Sequence, residues 1–265
     1  MASVLRNTQS LIVGTYTSTP TVTKPTGTVA GDILVALICG DTTGRPSLTL
    51  PSGWVSVYGT NDPDLGGSAW QYVAYKVATS SEPSSYTFTL VGGSGFGDLS
   101  LVIAGYYEST GVGTWSVITS GANTVDSDVI TSPTLTGNGL YITSFLNDSP
   151  DAVISDNSPV ANIFGDETYS LGLWIYGGDY NATNHNITVT WDGDDDLYSN
   201  NVIFLWTSGT PPPTGYASEI KIGSAYKGIT NGYVAVGSNW KELQAGFIAT
   251  KIKGALEWKE IFKVP

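Results

Sequence analysis

Ser84-Ser-Tyr86-Thr-Phe88-Thr-Leu90 sets small polar residues against large apolar ones at every second position. A period of two describes a strand with one face in a core and the other in water. The same texture extends outward in both directions. Trp70-Gln-Tyr-Val-Ala-Tyr-Lys-Val77 places Trp70, Tyr72, Ala74 and Lys76 opposite Gln71, Val73, Tyr75 and Val77. Trp54-Val-Ser-Val-Tyr58 alternates behind a Pro51-Ser-Gly turn. Ile33-Leu-Val-Ala-Leu-Ile-Cys39 is a short, continuous apolar run after Ala30-Gly31-Asp32, the pattern of a strand buried on both faces. Leu99-Ser-Leu101-Val-Ile103-Ala-Gly-Tyr106-Tyr107 reads the same way.

Further strands are expected at 10–16, 21–24, 114–118, 128–132, 139–146, 169–176, 186–191 and 201–207. Turn residues mark 61–67 as a loop, and Pro150, Pro159 and several Asp mark 147–166 as a long surface loop. No window before residue 214 has helical periodicity. Short strands at close spacing predict an all-β fold, a large jelly-roll-like β-sandwich. The strands are expected to run on as one two-sheet body over 1–207, with two smaller sandwiches meeting near Gly111-Val-Gly113 as the alternative.

Pro211-Pro212-Pro213 makes 208–215 a stiff linker. Behind it, 216–265 holds a segment written three times. The copies are Ile220-Lys-Ile-Gly-Ser-Ala-Tyr226-Lys227-Gly-Ile229, Tyr233-Val-Ala-Val-Gly-Ser-Asn-Trp240-Lys241-Glu-Leu243, and the looser Phe247 to Ile261 with Trp258-Lys259. The aromatic residues step by 14 and then 18 residues. One copy cannot bury a core, so a small three-repeat β domain must stack on itself, on another copy or on a larger body. Strand alternation should put Tyr226, Trp240 and Trp258 on one face and Lys227, Lys241 and Lys259 on the other. These six residues are the candidate interface. A helix over 240–261 fits some apolar spacings, but Gly246 and Gly254 oppose it.

Charged residues make up 13% of the 265-residue chain, and net charge is −12. Residues 1–213 carry four cations (Arg6, Lys24, Arg45 and Lys76) against nineteen acids, while 214–265 carry seven lysines against four acids. Such an acidic body repels nucleic acid and anionic membrane, so neither is an expected partner. The basic tail could pair with an acidic surface, or its lysines could simply guard hairpin edges. The single cysteine, Cys39, excludes an intrachain disulfide. No signal peptide is read at Met-Ala-Ser-Val-Leu-Arg-Asn, and no apolar run approaches a membrane span. A soluble protein made in a cytoplasm is expected.

No residue set specifies a reaction, so no catalytic residue, cofactor or metal site is assigned. The acid cluster Asp192-Gly-Asp194-Asp195-Asp196 lacks the order of a calcium loop and reads as a solvated hairpin turn between strands 186–191 and 201–207. The lone His185 sits in a polar turn without a nucleophile elbow or zinc partners. Gly92-Gly-Ser-Gly-Phe-Gly97 lacks the Lys and following helix of a phosphate loop. Asn181-Ala-Thr183 and Asn186-Ile-Thr188 match the glycosylation pattern at a rate expected by chance. Trp54, Trp70, Trp115, Trp174, Trp191 and Trp206 lie in or beside strands, and most are expected in the core, with one or two on a loop rim able to stack on a sugar ring.

Lys24-Pro-Thr-Gly-Thr-Val-Ala-Gly31-Asp32-Ile-Leu-Val-Ala, Leu50-Pro51-Ser-Gly53-Trp54 and Val73-Ala-Tyr75-Lys76-Val-Ala78 with Glu82-Pro83-Ser-Ser-Tyr86 resemble a β-sandwich domain of tailed-bacteriophage virion proteins. Trp240-Lys241-Glu242 and Trp258-Lys259-Glu260 are similar to Trp-Lys repeats ending phage tail and fibre proteins. The two likenesses cover about 20–107 and 216–262; residues 110–207 match neither. The resemblance implies a non-enzymatic virion structural protein, as a capsid decoration (cement) protein or a fibre component. Its partners would be other virion proteins and further copies of itself, with a trimer expected from the family. It would be assembled in the bacterial host cytoplasm and located in the virion. The alternative is a carbohydrate-binding or host-receptor adhesin of the tail, recognising a host surface glycan through aromatics on loops such as 61–67 or 147–166.

Overall fold

The computed structural model describes residues 3–42, 45–57, 69–93, 97–108, 113–147, 153–166, 172–180, 186–192 and 196–208. Beyond these it describes 218–222, 225–229, 233–236, 239–242, 247–252 and 255–260. The chain divides into two compact units, Met1–Ser208 and Gly209–Pro265. The described residues contain no helix, so the fold is all-β.

The first half of the larger unit holds β1 (Ser3–Val13), β2 (Thr21–Thr23), β3 (Ile33–Asp41), β4 (Ser47–Thr49), β5 (Val55–Ser56), β6 (Ala69–Val77), β7 (Ser85–Thr87), β8 (Thr89–Val91) and β9 (Leu99–Glu108). Its second half holds β10 (Gly113–Asp126), β11 (Val129–Thr131), β12 (Gly139–Asn147), β13 (Val153–Asp156), β14 (Ala161–Asp166), β15 (Gly172–Tyr180), β16 (Thr188–Trp191) and β17 (Asp196–Ser208). The strands do not continue as one pair of sheets. One five-stranded antiparallel sheet runs β1-β9-β3-β6-β5 and a second runs β10-β17-β12-β15-β14. Smaller pairings complete each half, β2-β7 and β4-β8 in the first and β11-β16-β13 in the second.

Side-chain alternation explains the layering. On β3, Ile33, Val35, Leu37 and Cys39 enter a central core shared with Leu140, Ile142, Val202 and Phe204 of the second sheet. The intervening Leu34, Ala36 and Ile38 enter a different core with Tyr86, Phe88 and Leu90 of β7 and β8 and the segment between them. A third core lies on the far side of the second large sheet, where Tyr141, Phe145 and Ile203 meet Val189 and Trp191 of β16. Two large sheets therefore face each other, and each is covered outside by the smaller pairings of its own half. This is why β3 is apolar at nearly every position. In the Pro51–Trp54 turn, Gly53 has φ of +82° and Trp54 N–H donates to Pro51 O at 3.2 Å. A type II turn requires that sign of φ at its third residue.

Several sequence expectations change. The first strand begins at Ser3 rather than residue 10. Residues 147–166 include β13 and β14 and are not one long loop. Among the described residues β14 pairs only with β15, and β13 only with β16, so both are edge strands, where Pro and charge are tolerated. The Asp192–Asp196 segment does not close a hairpin, because β16 and β17 belong to different sheets.

The described residues of the smaller unit form three hairpins. They are β18 (Ser218–Ile222) with β19 (Ala225–Ile229), β20 (Tyr233–Val236) with β21 (Asn239–Glu242), and β22 (Phe247–Ile252) with β23 (Ala255–Glu260). Each sequence copy is thus one hairpin, and 240–261 holds strands rather than a helix.

Candidate functional site

The hairpins fix where the six candidate interface residues stand. Tyr226 pairs with Lys221, and Lys227 with Ile220. Trp240 pairs with Ala235, and Lys241 with Val234. Trp258 pairs with Ala249, and Lys259 with Ile248. Every aromatic-Lys pair therefore lies on the second strand of its hairpin. The register also explains the unequal steps. Tyr233 and Phe247 open the second and third hairpins 14 residues apart, the same step that separates Tyr226 from Trp240. The third hairpin has six pairs against four in the second, and those two extra pairs add the four residues that carry Trp258 to a step of 18.

In the larger unit, polar side chains are built into the central core. Gln71 on β6 is 1% exposed, Ser144 on β12 is 0% and Asn200 on β17 is 2%. Ser144 Oγ donates to Gln71 Oε1 at 3.0 Å, and Asn200 Nδ2 donates to the same oxygen at 2.5 Å. Among the described residues Gln71 Nε2 has no hydrogen-bond partner. The sequence carried a signal for this trio, since Gln71 lies on the strand face of Val73 and Tyr75.

Ion pairs of Arg6 and Lys76 fasten the first half. Arg6 is the extra residue of a bulge in β1, between Leu5 and Asn7. Its Nε lies 2.5 Å from Asp32 Oδ2, and its guanidinium stacks 4.2 Å from the Tyr107 ring centroid. Lys76 Nζ lies 2.9 Å from Glu82 Oε2, which also accepts from Tyr86 Oη at 2.7 Å. Thr79 N–H and Oγ1 donate to Glu82 Oε1 at 2.7 and 2.9 Å. Burial alone would raise the Glu82 pKa, but the hydrogen bonds from Thr79, Lys76 and Tyr86 outweigh it and hold the carboxyl at about 2. Burial pushes the Cys39 thiol up to about 12, and its S–H donates to Ser100 O at 3.7 Å. A thiol so placed is a packing residue and not a nucleophile.

The remaining motifs gain no chemistry. His185 and residues 61–67 and 193–195 lie outside the described residues. Asp192 is exposed. Gly92 and Gly93 have φ of +87° and +70° between β8 and β9, so a strand follows that glycine-rich segment. Asn186 is exposed and its Nδ2 donates to Thr134 Oγ1, while Asn181 lies outside the described residues. Among the described residues no group of three or more His, Cys, Asp or Glu is arranged to hold a metal. Trp54, Trp70, Trp115, Trp191 and Trp206 are buried in the cores, and Trp174 is half-buried edge-on to Trp191 at 5.0 Å. Within 147–166 the described aromatic, Phe164, is half-buried against the central core. No protein-family model, no curated protein and no solved structure matches the chain.

Proposed function

We propose that the chain is a non-enzymatic structural protein of a tailed-phage virion, exposed on the particle as a capsid decoration protein or fibre component and assembling through its C-terminal repeat. One observation carries the reading. The described residues of the smaller unit form three separate two-stranded hairpins, each with an aromatic-Lys pair on its second strand. An isolated hairpin of four to six pairs is marginal in water, so these units need a surface to pack on. Either further copies of the tail or another virion protein would supply it. A body with multiple cores and few charges suits a particle surface. Each half also sets its first strand beside its last, and its last beside its third. That order is compatible with the jelly-roll-like wrapping the sequence suggested.

Immunogold electron microscopy of whole phage particles, with antibody raised against this chain, tests the proposal. Gold spread over the head identifies a decoration protein, and gold confined to the tail or fibres identifies a fibre component. Particles that contain no antigen would end the virion reading.

A further inference from the structure

The two halves of the larger unit are the same fold twice. Matched in chain order, β1-β9-β3-β6-β5 becomes β10-β17-β12-β15-β14, and β2, β7 with β8, and β4 become β11, β16 and β13. The irregularities match as well. β1 bulges at Arg6, between the partners of Tyr106 and Gly105; β10 bulges at Ile118, between the partners of Phe204 and Ile203. Following the ladders from this point pairs Tyr106 with Phe204, Tyr75 with Gly177, and Val77 with Asp179 as counterparts.

The halves also meet as a two-fold pair. Tyr75 lies edge-on to Phe204 at 5.3 Å. The contact between their counterparts, Gly177 against Tyr106, exists too, where a Cβ on Gly177 would strike the Tyr106 hydroxyl. Reciprocal contacts of this kind define an isologous interface, normally seen between identical subunits. Such an interface would let either half pair with its own kind from a second chain.

The polar trio breaks that symmetry. The same ladders make Leu173 the counterpart of Gln71, Leu37 that of Ser144, and Val102 that of Asn200. All three counterparts are buried in the central core. We infer that Gln71, Ser144 and Asn200 select the partner of this interface: the inner face of the first half fits the second half and rejects a second copy of itself. First-half self-pairing would bury Gln71 against Leu37 and Val102. Second-half self-pairing would bury Ser144 and Asn200 against Leu173. The first leaves Gln71 Oε1 and the second leaves the Ser144 and Asn200 donors without this bond, twice over by symmetry, whereas pairing of unlike halves joins that oxygen to both donors.

The test uses the full chain with Gln71→Leu, Ser144→Leu and Asn200→Val, which makes both sides of the interface apolar. Two cysteine pairs report the pairing after refolding at about millimolar chain, where a short tether's advantage is matched. Ser3 N–H donates to Asp179 Oδ2 at 2.7 Å, so Ser3→Cys with Asp179→Cys reports unlike halves through a short bis-maleimide linker. Ser3→Cys with Val77→Cys reports first-half self-pairing, because Val77 takes the place of Asp179. Buried Cys39 stays silent. The apolar triple should raise the interchain Ser3–Val77 product about ten-fold over the native trio, the discrimination one buried hydrogen bond supplies. An unchanged Ser3–Val77 yield overturns the inference. Should the triple variant fail to fold, Gln71→Leu with Asn200→Val must give a smaller rise in the same product. Failure of that variant to fold also overturns the inference, since a group that only selects a partner is dispensable for folding.

Discussion

Glu82 accepts hydrogen bonds from Thr79 N–H, Thr79 Oγ1, Tyr86 Oη and Lys76 Nζ. Its folded pKa of about 2 lies below the ordinary 4.5, so ionisation favours the folded state. That stabilisation is fully present above pH 4.5 and is lost as pH falls toward 2. The site stands near the surface, so solvent screening reduces it to about 1–2 kcal/mol. Glu82→Gln should therefore lower stability by that amount at pH 7, and the gap between the two proteins should narrow from pH 4.5 down to pH 2.5. Denaturant unfolding at pH 7, 4 and 2.5 measures it; a gap independent of pH would refute the carboxylate's role. The residues involved were visible in the sequence as Lys76 and Glu82-Pro83-Ser-Ser-Tyr86. Their convergence was not, because it depends on how β6 returns past the turn before β7.

At the scale of elements, strongly patterned strands were legible and edge strands were not. β3, β6 and β9 announce themselves because both faces are buried, which fills consecutive positions with apolar side chains. β14 shows an exposed and half-buried pattern with no clean alternation, since it has a partner on one side only. β10 extends to Asp126, far past the apolar Trp115-Ser-Val117 that marked its start, because β17 supplies a full-length partner. The tail repeat was legible as a repeat, and its hairpin register accounts for both step lengths. Those hairpins carry an element-scale prediction. Trp240→Ala with Trp258→Ala removes the large side chain from the second strands of two hairpins, and truncating a Trp that anchors an interface costs about 2–4 kcal/mol. Assembly or particle attachment should be abolished while residues 1–208 keep their circular dichroism and thermal transition. Normal incorporation of the double variant into particles would defeat the role given to the repeat.

For the whole molecule, the duplication of the larger unit was hidden because register survived where residue identity did not. Gln71 answers to Leu173, Val102 to Asn200 and Tyr75 to Gly177, so these positions share no side-chain chemistry, although the hydrogen-bond ladders follow the same register. What the halves share physically is the central core. Phe204 is 0% exposed there and packs against Tyr75 of the other half. If that core joins both halves into one cooperative body, damage on one side must be felt on the other. Phe204→Ala should cost about 3–5 kcal/mol. Hydrogen exchange followed by mass spectrometry should then show β3 and β12 losing protection by the same factor, although only β12 pairs with the substituted strand. Loss confined to β10, β12 and β17 would mean that each half is stable alone. The central core would then be an interface between two folding units, and pairing, not folding, would be the step at which the polar trio acts.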